Sequence, residues 1–258
     1  MSVLVAHSGM LSRRSVVRVM RQPANLVFAF AFPPLLLAVN SAGLDAATDI
    51  PGFPADSYLT FALAVPFVQG ALFAAITGGT NFGTDVESGF LSRLSLTPLT
   101  RTSLLAGQLA GVVALGILQA GVYLAVGEIA GAGFAAGPGG IPVLLALSVL
   151  ITLGFGSMGA LAALRTGSSE AVQGMFPLFF VFLFLSSMAM PRDLIQHDWF
   201  RTIATYNPVS YLLEAIRSLL ITGWDAEALA LGFACATGIA LVGIGASAAS
   251  LRRRMVRT

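Results

Sequence analysis

Six stretches of this chain run without a single charged side chain: 22–44, 57–84, 102–127, 129–164, 171–191 and 228–251. As a helix, each is long enough to cross the hydrocarbon core of a bilayer, which takes about 20 apolar residues. Charged residues are 10% of the 258 and hydrophobic ones 56%, whereas a soluble surface needs about 25% charge. The sequence therefore predicts a single all-α integral membrane domain, 1–258, with no separate soluble part. The front of the fourth run, Gly131 to Gly140, has loop composition. That leaves six transmembrane helices, at 24–44, 58–80, 104–127, 142–164 and 171–190, with the sixth at 228–250.

Six spans put both ends of the domain on one side. If that side is the cytoplasm, the inner segments hold eleven arginines against three acids, and the outer segments three against nine. Retention of arginine on the inside gives an N-in, C-in orientation, with 251–258 as a basic cytoplasmic tail. Trp199, Trp224 and all four tyrosines then fall toward the outer interface, where amphipathic rings are favoured. The first run exceeds the roughly 7–15 apolar residues of a cleavable signal, so it is read as a retained span. Ahead of it, Arg14, Arg18 and Arg21 recur at i, i+4 and i+7, with Val16, Val19 and Met20 opposite. That pattern makes 1–22 an interfacial helix; a disordered basic tail is the alternative.

Two segments are more than simple spans or links. In 81–103, Phe90, Leu91 and Leu94 fit one side of a short helix that Thr97-Pro98 would end, a docking element on the cytoplasmic surface. Between the fifth and sixth spans, 191–226 mixes apolar runs with charge. Asn207-Pro208 is a helix start, Asn as cap and Pro in the first turn, and a helix to about Ile221 would measure roughly 21 Å, too short to cross. It is predicted to be re-entrant from outside, with Glu214 and Arg217 paired at i, i+3; an ordinary external loop is the alternative.

The basic residues are all arginine. A Walker loop needs lysine to reach the phosphates, so this chain holds no ATP site, and ATP with its Mg must sit on a partner. His7, His197 and Cys235 are isolated and offer no metal site; no cofactor and no nucleic acid are expected on this chain. Gly154-Phe-Gly156-Ser-Met-Gly159 spells the dinucleotide fingerprint, but it lies inside a predicted span without the strand the motif requires. Its glycines are read as sites of close helix packing, like Gly107 and Gly111. Gln69, Thr77, Gln108, Gln119 and Gln173 are the polar residues inside spans, and interhelical hydrogen bonds are their ordinary use. Glu128, at the outer end of the third span, is read as interfacial.

The stretch Glu87-Ser-Gly89-Phe-Leu-Ser-Arg93-Leu-Ser-Leu-Thr97-Pro98-Leu-Thr-Arg101 resembles the cytoplasmic loop of type-2 ABC exporter permeases, in particular the daunorubicin-resistance branch. Pro191 followed by Asn207-Pro208-Val-Ser-Tyr211-Leu-Leu-Glu214-Ala-Ile-Arg217 is similar to that family's external hairpin. The family often has a second proline before a Trp-Leu pair; here Gln196-His197-Asp198-Trp199-Phe200 has none. The resemblance covers nearly the whole chain. It implies a permease that pairs with a second copy or a paralogue, binds two copies of a separate ABC ATPase, and moves an amphipathic or lipid-like substrate out of the cytoplasm or inner leaflet. It also implies ATPase contact by Asp85, Glu87, Gly89, Phe90, Leu91, Arg93, Leu94 and Arg101, and a path bordered by spans two and five at Gln69, Thr77, Gln173 and Phe176. The rival classes are an ion- or proton-coupled secondary transporter, which would place acids at mid-span, and a membrane hydrolase, which would need a nucleophile beside a base.

Overall fold

Proline, glycine and side-chain capping decide where the helices of this chain start and stop. A computed structural model describes residues 2–94 and 100–256, and among these every regular element is helical. Helix α1 (Ser2–Met20) leads through Gln22 into α2 (Pro23–Leu44), whose proline sits in the first turn where its missing N–H costs nothing. Next come α3 (Tyr58–Ala62), capped by Ser57, and α4 (Ala64–Glu87). The break between them lies next to Pro66, which cannot donate back to the Ala62 carbonyl. Gly89, at φ +68, turns the chain into the short α5 (Phe90–Leu94). Then follow α6 (Arg101–Ile129), capped by Thr100, and α7 (Gly140–Thr166), which Gly167 ends in the left-handed conformation.

After α7 the pattern changes. Helices α8 (Ser169–Gly174) and α9 (Phe176–Phe184) are short, and residues 185–190 are turns. Helices α10 (Asp198–Tyr206) and α11 (Pro208–Arg217) follow one another, separated at Asn207. A π turn over Ser218–Thr222 and Gly223 then lead into α12 (Ala226–Val256).

Five segments are long and apolar enough to cross a membrane: Leu26–Asp49, Tyr58–Glu87, Thr102–Ile129, Gly140–Thr166 and Ala226–Arg254. The expected span at 171–190 is not among these five, although it runs from the Glu87–Ser169 contact at one end of the bundle to the partners of Arg217 and Tyr58 at the other. Its apolar helical stretch is Ser169–Phe184, about 24 Å at 1.5 Å per residue, and it is interrupted at Met175. The chain turns past Phe184, and carbonyls at the end of α9 and in the following residues accept from side chains elsewhere. Asn207 donates to Phe182 (2.6 Å), Arg217 to Ser187 and Met188, and Tyr58 to Ala189.

The Tyr58–Glu87 segment is the axis of the bundle. Of its most apolar window 83% is buried, against 17% for the first segment and 22% for the last, so the outer helices turn most of their surface to lipid or to another chain. Helix α4 packs chiefly on α7, α7 also on α12, and α1 on α6. Small residues permit these approaches. A Cβ on Gly159 would lie 2.4 Å from the Ala75 carbonyl oxygen, and one on Gly111 2.3 Å from Ser15 Oγ. The three glycines of the fingerprint-like stretch face three different helices: Gly154 meets Ile239, Gly156 meets Val112, and Gly159 meets Ala75.

Candidate functional site

Phe73, Thr77, Thr80 and Thr84 recur at helical spacing and form one polar-edged stripe down α4. Together with Asn81 they line a cavity of about 490 Å³, closed by Arg18 and Gln22 on one side and by Phe28, Gln173 and Phe176 on the other. Three of the four expected path residues, Thr77, Gln173 and Phe176, thus meet in one space. The fourth does not reach it. Gln69 lies one turn beyond Phe73 and lines a separate cavity of about 30 Å³ with Asn40, Tyr58 and Met188. Its Oε1 is buried with no partner among the described residues.

Between the two cavities stands an aromatic cluster centred on Phe73. Its ring lies 5.3 Å and 5.8 Å from Phe28 and Phe32 of α2, and 5.5 Å and 5.8 Å from Phe176 and Phe180 of α9. Contacts of this kind add about 0.5–1.5 kcal/mol each beyond area burial, so the cluster binds α2, α4 and α9 together.

At the α1 end, a polar cluster that the sequence did not reveal holds three helices together. Asp85, 2% exposed, accepts both Nη atoms of Arg14 (3.0 and 2.8 Å), Arg18 Nη1 (2.7 Å) and Gln108 Nε2 (2.6 Å). Its own hydrogen bonds to Asp85 hold the Arg14 guanidinium pKa above its ordinary value against the opposing cost of partial burial, with the charge of Asp85 acting in the same direction. Arg14 also lies 4.0 Å over the Phe90 ring of α5, a cation–π contact. The available signal was positional: Asp85 follows a 28-residue apolar run with no intervening loop residue, so α4 carries it onward as helix.

The expected ATPase-contact residues divide accordingly. Asp85 faces inward, Phe90 lies beneath Arg14, and Leu91 packs on the cluster around Phe82 and Leu104. Glu87 and Arg93 are exposed, and Glu87 accepts from the Ser169 N–H (2.6 Å) at the start of α8. Gly89 forms the turn. The side chains of Leu94 and Arg101, and residues 95–99 with the Thr97-Pro98 stop, lie outside the described residues.

At the opposite end the hairpin residues are assembled around Arg217. Asn207 Oδ1 accepts from Val209 N–H (3.0 Å), capping α11 at Pro208. The expected Glu214–Arg217 pair does not form. Glu214 pairs instead with Arg192, which follows Pro191 and lies 4.6 Å over the Tyr211 ring. Arg217 is 5% exposed and donates to three main-chain carbonyls: Nε to Phe61 (3.0 Å), Nη1 to Ser187 (2.7 Å) and Nη2 to Met188 (2.8 Å). Its guanidinium also stacks 3.6 Å over Phe61. One side chain therefore fixes α3, the 185–190 turn and α11 to one another.

A family model described as ABC-2 type transporter matches residues 8–221. The chain is 30% identical over 173 residues to the daunorubicin resistance ABC transporter permease protein DrrB1 of Streptomyces coeruleorubidus, covering 64% of this chain and 58% of that protein. It is 27% identical over 222 residues to the putative transport permease ycf38 of Porphyra purpurea, 83% of this chain and 74% of that one. It is 26% identical over 227 residues to the probable doxorubicin resistance ABC transporter permease protein DrrC of Mycobacterium tuberculosis, 86% and 79% respectively.

Proposed function

The chain belongs to the ABC-2 type transporter family and is a multi-pass permease of the plasma membrane, and from that premise we propose that it is the membrane half of an ATP-driven exporter of amphipathic substrates. Two copies of a separate ABC ATPase would supply the energy, and a second copy or a paralogue would complete the path. In this reading the α1 end is cytoplasmic, α5 is the coupling helix, and the α10–α11 hairpin re-enters the membrane from outside.

The observation that supports it most is the arrangement along α4. A single helix carries the inner cavity, the Phe73 cluster and the Gln69 pocket in sequence, and ends at the α5 docking element beside Asp85. Substrate would enter the larger cavity, pass the aromatic cluster when α2 and α9 separate from α4, and leave near the hairpin. Arg93 is the surface probe of coupling, being exposed on α5 and making, among the described residues, only a 3.5 Å contact to the Ser88 carbonyl. Arg93→Glu is expected to leave the chain folded in the membrane while reducing ATPase copurification and substrate-stimulated hydrolysis. Full ATPase binding and full export by that variant would remove α5 from the coupling role.

A further inference from the structure

Among the described residues, the α1-end cavity is lined by one ionised side chain, Arg18, and by no carboxylate. Arg18 spends only Nη1 on the Asp85 carboxylate and the Asn81 carbonyl, and its Nη2 and Nε have no partner among the described residues. Arg14 and Arg18 share the single charge of Asp85, so the cluster stays net positive. Next to it, on the same helix, a cavity of about 610 Å³ is lined by Arg13, Arg14, Arg18 and Arg21. Arg18 and Gln22 belong to both cavities.

A second observation points the same way. Asn81 is 7% exposed and accepts from Gln22 through Oδ1 (2.8 Å), which leaves its Nδ2 buried with no partner among the described residues. A buried N–H without an acceptor is costly; Asn81 lines the same cavity as Arg18, and a carboxylate or phosphate oxygen can accept from an amide and a guanidinium alike. The far wall is of opposite character, with Phe28, Phe73, Ile76 and Phe176. Beyond it the surface of α9 is apolar: Leu178, Phe182 and Phe184 are 52%, 49% and 55% exposed.

We propose that this cavity receives an amphiphile with an anionic headgroup, carboxylate or phosphate, held by Arg18 and Asn81 with its apolar part on Phe73 and Phe176. The proposal rests on the reading of this cavity as the entrance of the path. It also separates the chain from any exporter built for a cationic amphiphile, since an ammonium head would face Arg18 with no carboxylate in the cavity. The anion has two possible sources, a phospholipid of the bilayer or a foreign solute.

The test uses the purified full chain in phosphatidylcholine nanodiscs, titrated with dodecyl phosphate and with dodecyltrimethylammonium, which share a tail. Dodecyl phosphate is expected to bind about tenfold more tightly, the worth of roughly one charge-assisted hydrogen bond. Arg18→Gln and Asn81→Leu should each bring the ratio to within about twofold, whereas Arg18→Lys and Arg253→Gln, at a residue that lines neither cavity, should keep it. Folding is protected in Arg18→Gln because Asp85 retains Arg14 and Gln108. Equal affinities in the wild type, or a preference lost equally in Arg253→Gln, overturns the proposal. Nanodiscs doped with phosphatidylglycerol assign the source: competition with dodecyl phosphate assigns it to phospholipid, no competition to a solute, and the site stands in either case. The assay contains no ATPase, so absent head-group preference with ATPase copurification intact sinks the anion site alone. Intact preference without any ATPase association sinks the exporter reading.

Discussion

Replacing Arg14 and Arg18 together by alanine should destabilise the chain by more than the sum of the two single replacements. Asp85 has a side chain 3% exposed and is bound by both guanidiniums and by Gln108. Hydrogen bonds to a charged group contribute about 1.5–3 kcal/mol each. Arg14 and Arg18 keep 40% and 26% of their side chains exposed, so water compensates part of each loss. A single replacement also leaves the carboxylate with one cation, and its cost falls to about 1 kcal/mol. The double replacement leaves a buried carboxylate facing only Gln108, for which about 3–5 kcal/mol is the expected penalty. The excess over additivity is then about 1–3 kcal/mol. Adding Asp85→Asn to the double variant removes the stranded charge, and most of the stability should return. Reversible SDS unfolding of the purified chain in mixed micelles measures all four variants. An additive double variant, or a triple variant no more stable than the double, would refute the reasoning.

Arg217→Ala should cost at least about 3 kcal/mol, since it orphans the Phe61, Ser187 and Met188 carbonyls, and folded yield by size exclusion should drop far more than for Glu214→Ala. A double-mutant cycle should find coupling between Glu214 and Arg192, not between Glu214 and Arg217; the reverse result contradicts the geometry. Gly159→Ala should destabilise by about 1–3 kcal/mol because its Cβ meets the Ala75 carbonyl oxygen at 2.4 Å, a loss readable in the same SDS titration. In a Cys235→Ser background, an impermeant thiol reagent on intact cells should label Asp49→Cys and spare Ser88→Cys; the opposite pattern inverts the orientation.

What the sequence made legible was what local composition controls. Charge-free runs located the long apolar helices, and Asn207-Pro208 marked the start of α11 because a cap acts on its own next turn. What it hid was decided by partners far along the chain. The fifth run reads as a continuous span, yet the chain turns past Phe184, and the partners of its last carbonyls, Asn207, Arg217 and Tyr58, lie between 25 and 131 residues away. Glu214 looked paired to the nearest arginine by the i, i+3 rule, yet Arg192 sits 22 residues earlier on a turn that brings it closer. Asp85 was read as a surface charge awaiting a soluble partner, while the cations that bury it lie 67 and 71 residues upstream. The path candidates fared unevenly for a related reason. Spacing alone puts Gln69, Phe73 and Thr77 on one face of α4, but only the position of α2 and α9 shows that Phe73 divides that face in two.

Arg18 occupies the junction of two systems that would otherwise be independent. Through Asp85 it shares a carboxylate with Arg14, whose guanidinium rests on Phe90 of α5; it also lines the cavity. A displacement of α5 that carries Phe90 away loosens Arg14, and Asp85 then draws more strongly on Arg18, because a buried carboxylate that loses one cation depends on the other. Arg18 held closer to Asp85 is Arg18 withdrawn from the cavity. Under the proposed coupling role of α5, an anionic head bound there would be weakened by any movement of α5 that carries Phe90 away from Arg14. By reciprocity of coupling, the bound head would in turn favour the position of α5 in which Arg14 and Phe90 remain together. α5 and the cavity are thus connected through four side chains, Phe90, Arg14, Asp85 and Arg18. On the proposed reading, occupancy of the cavity would be felt at α5 without a shift of a whole span.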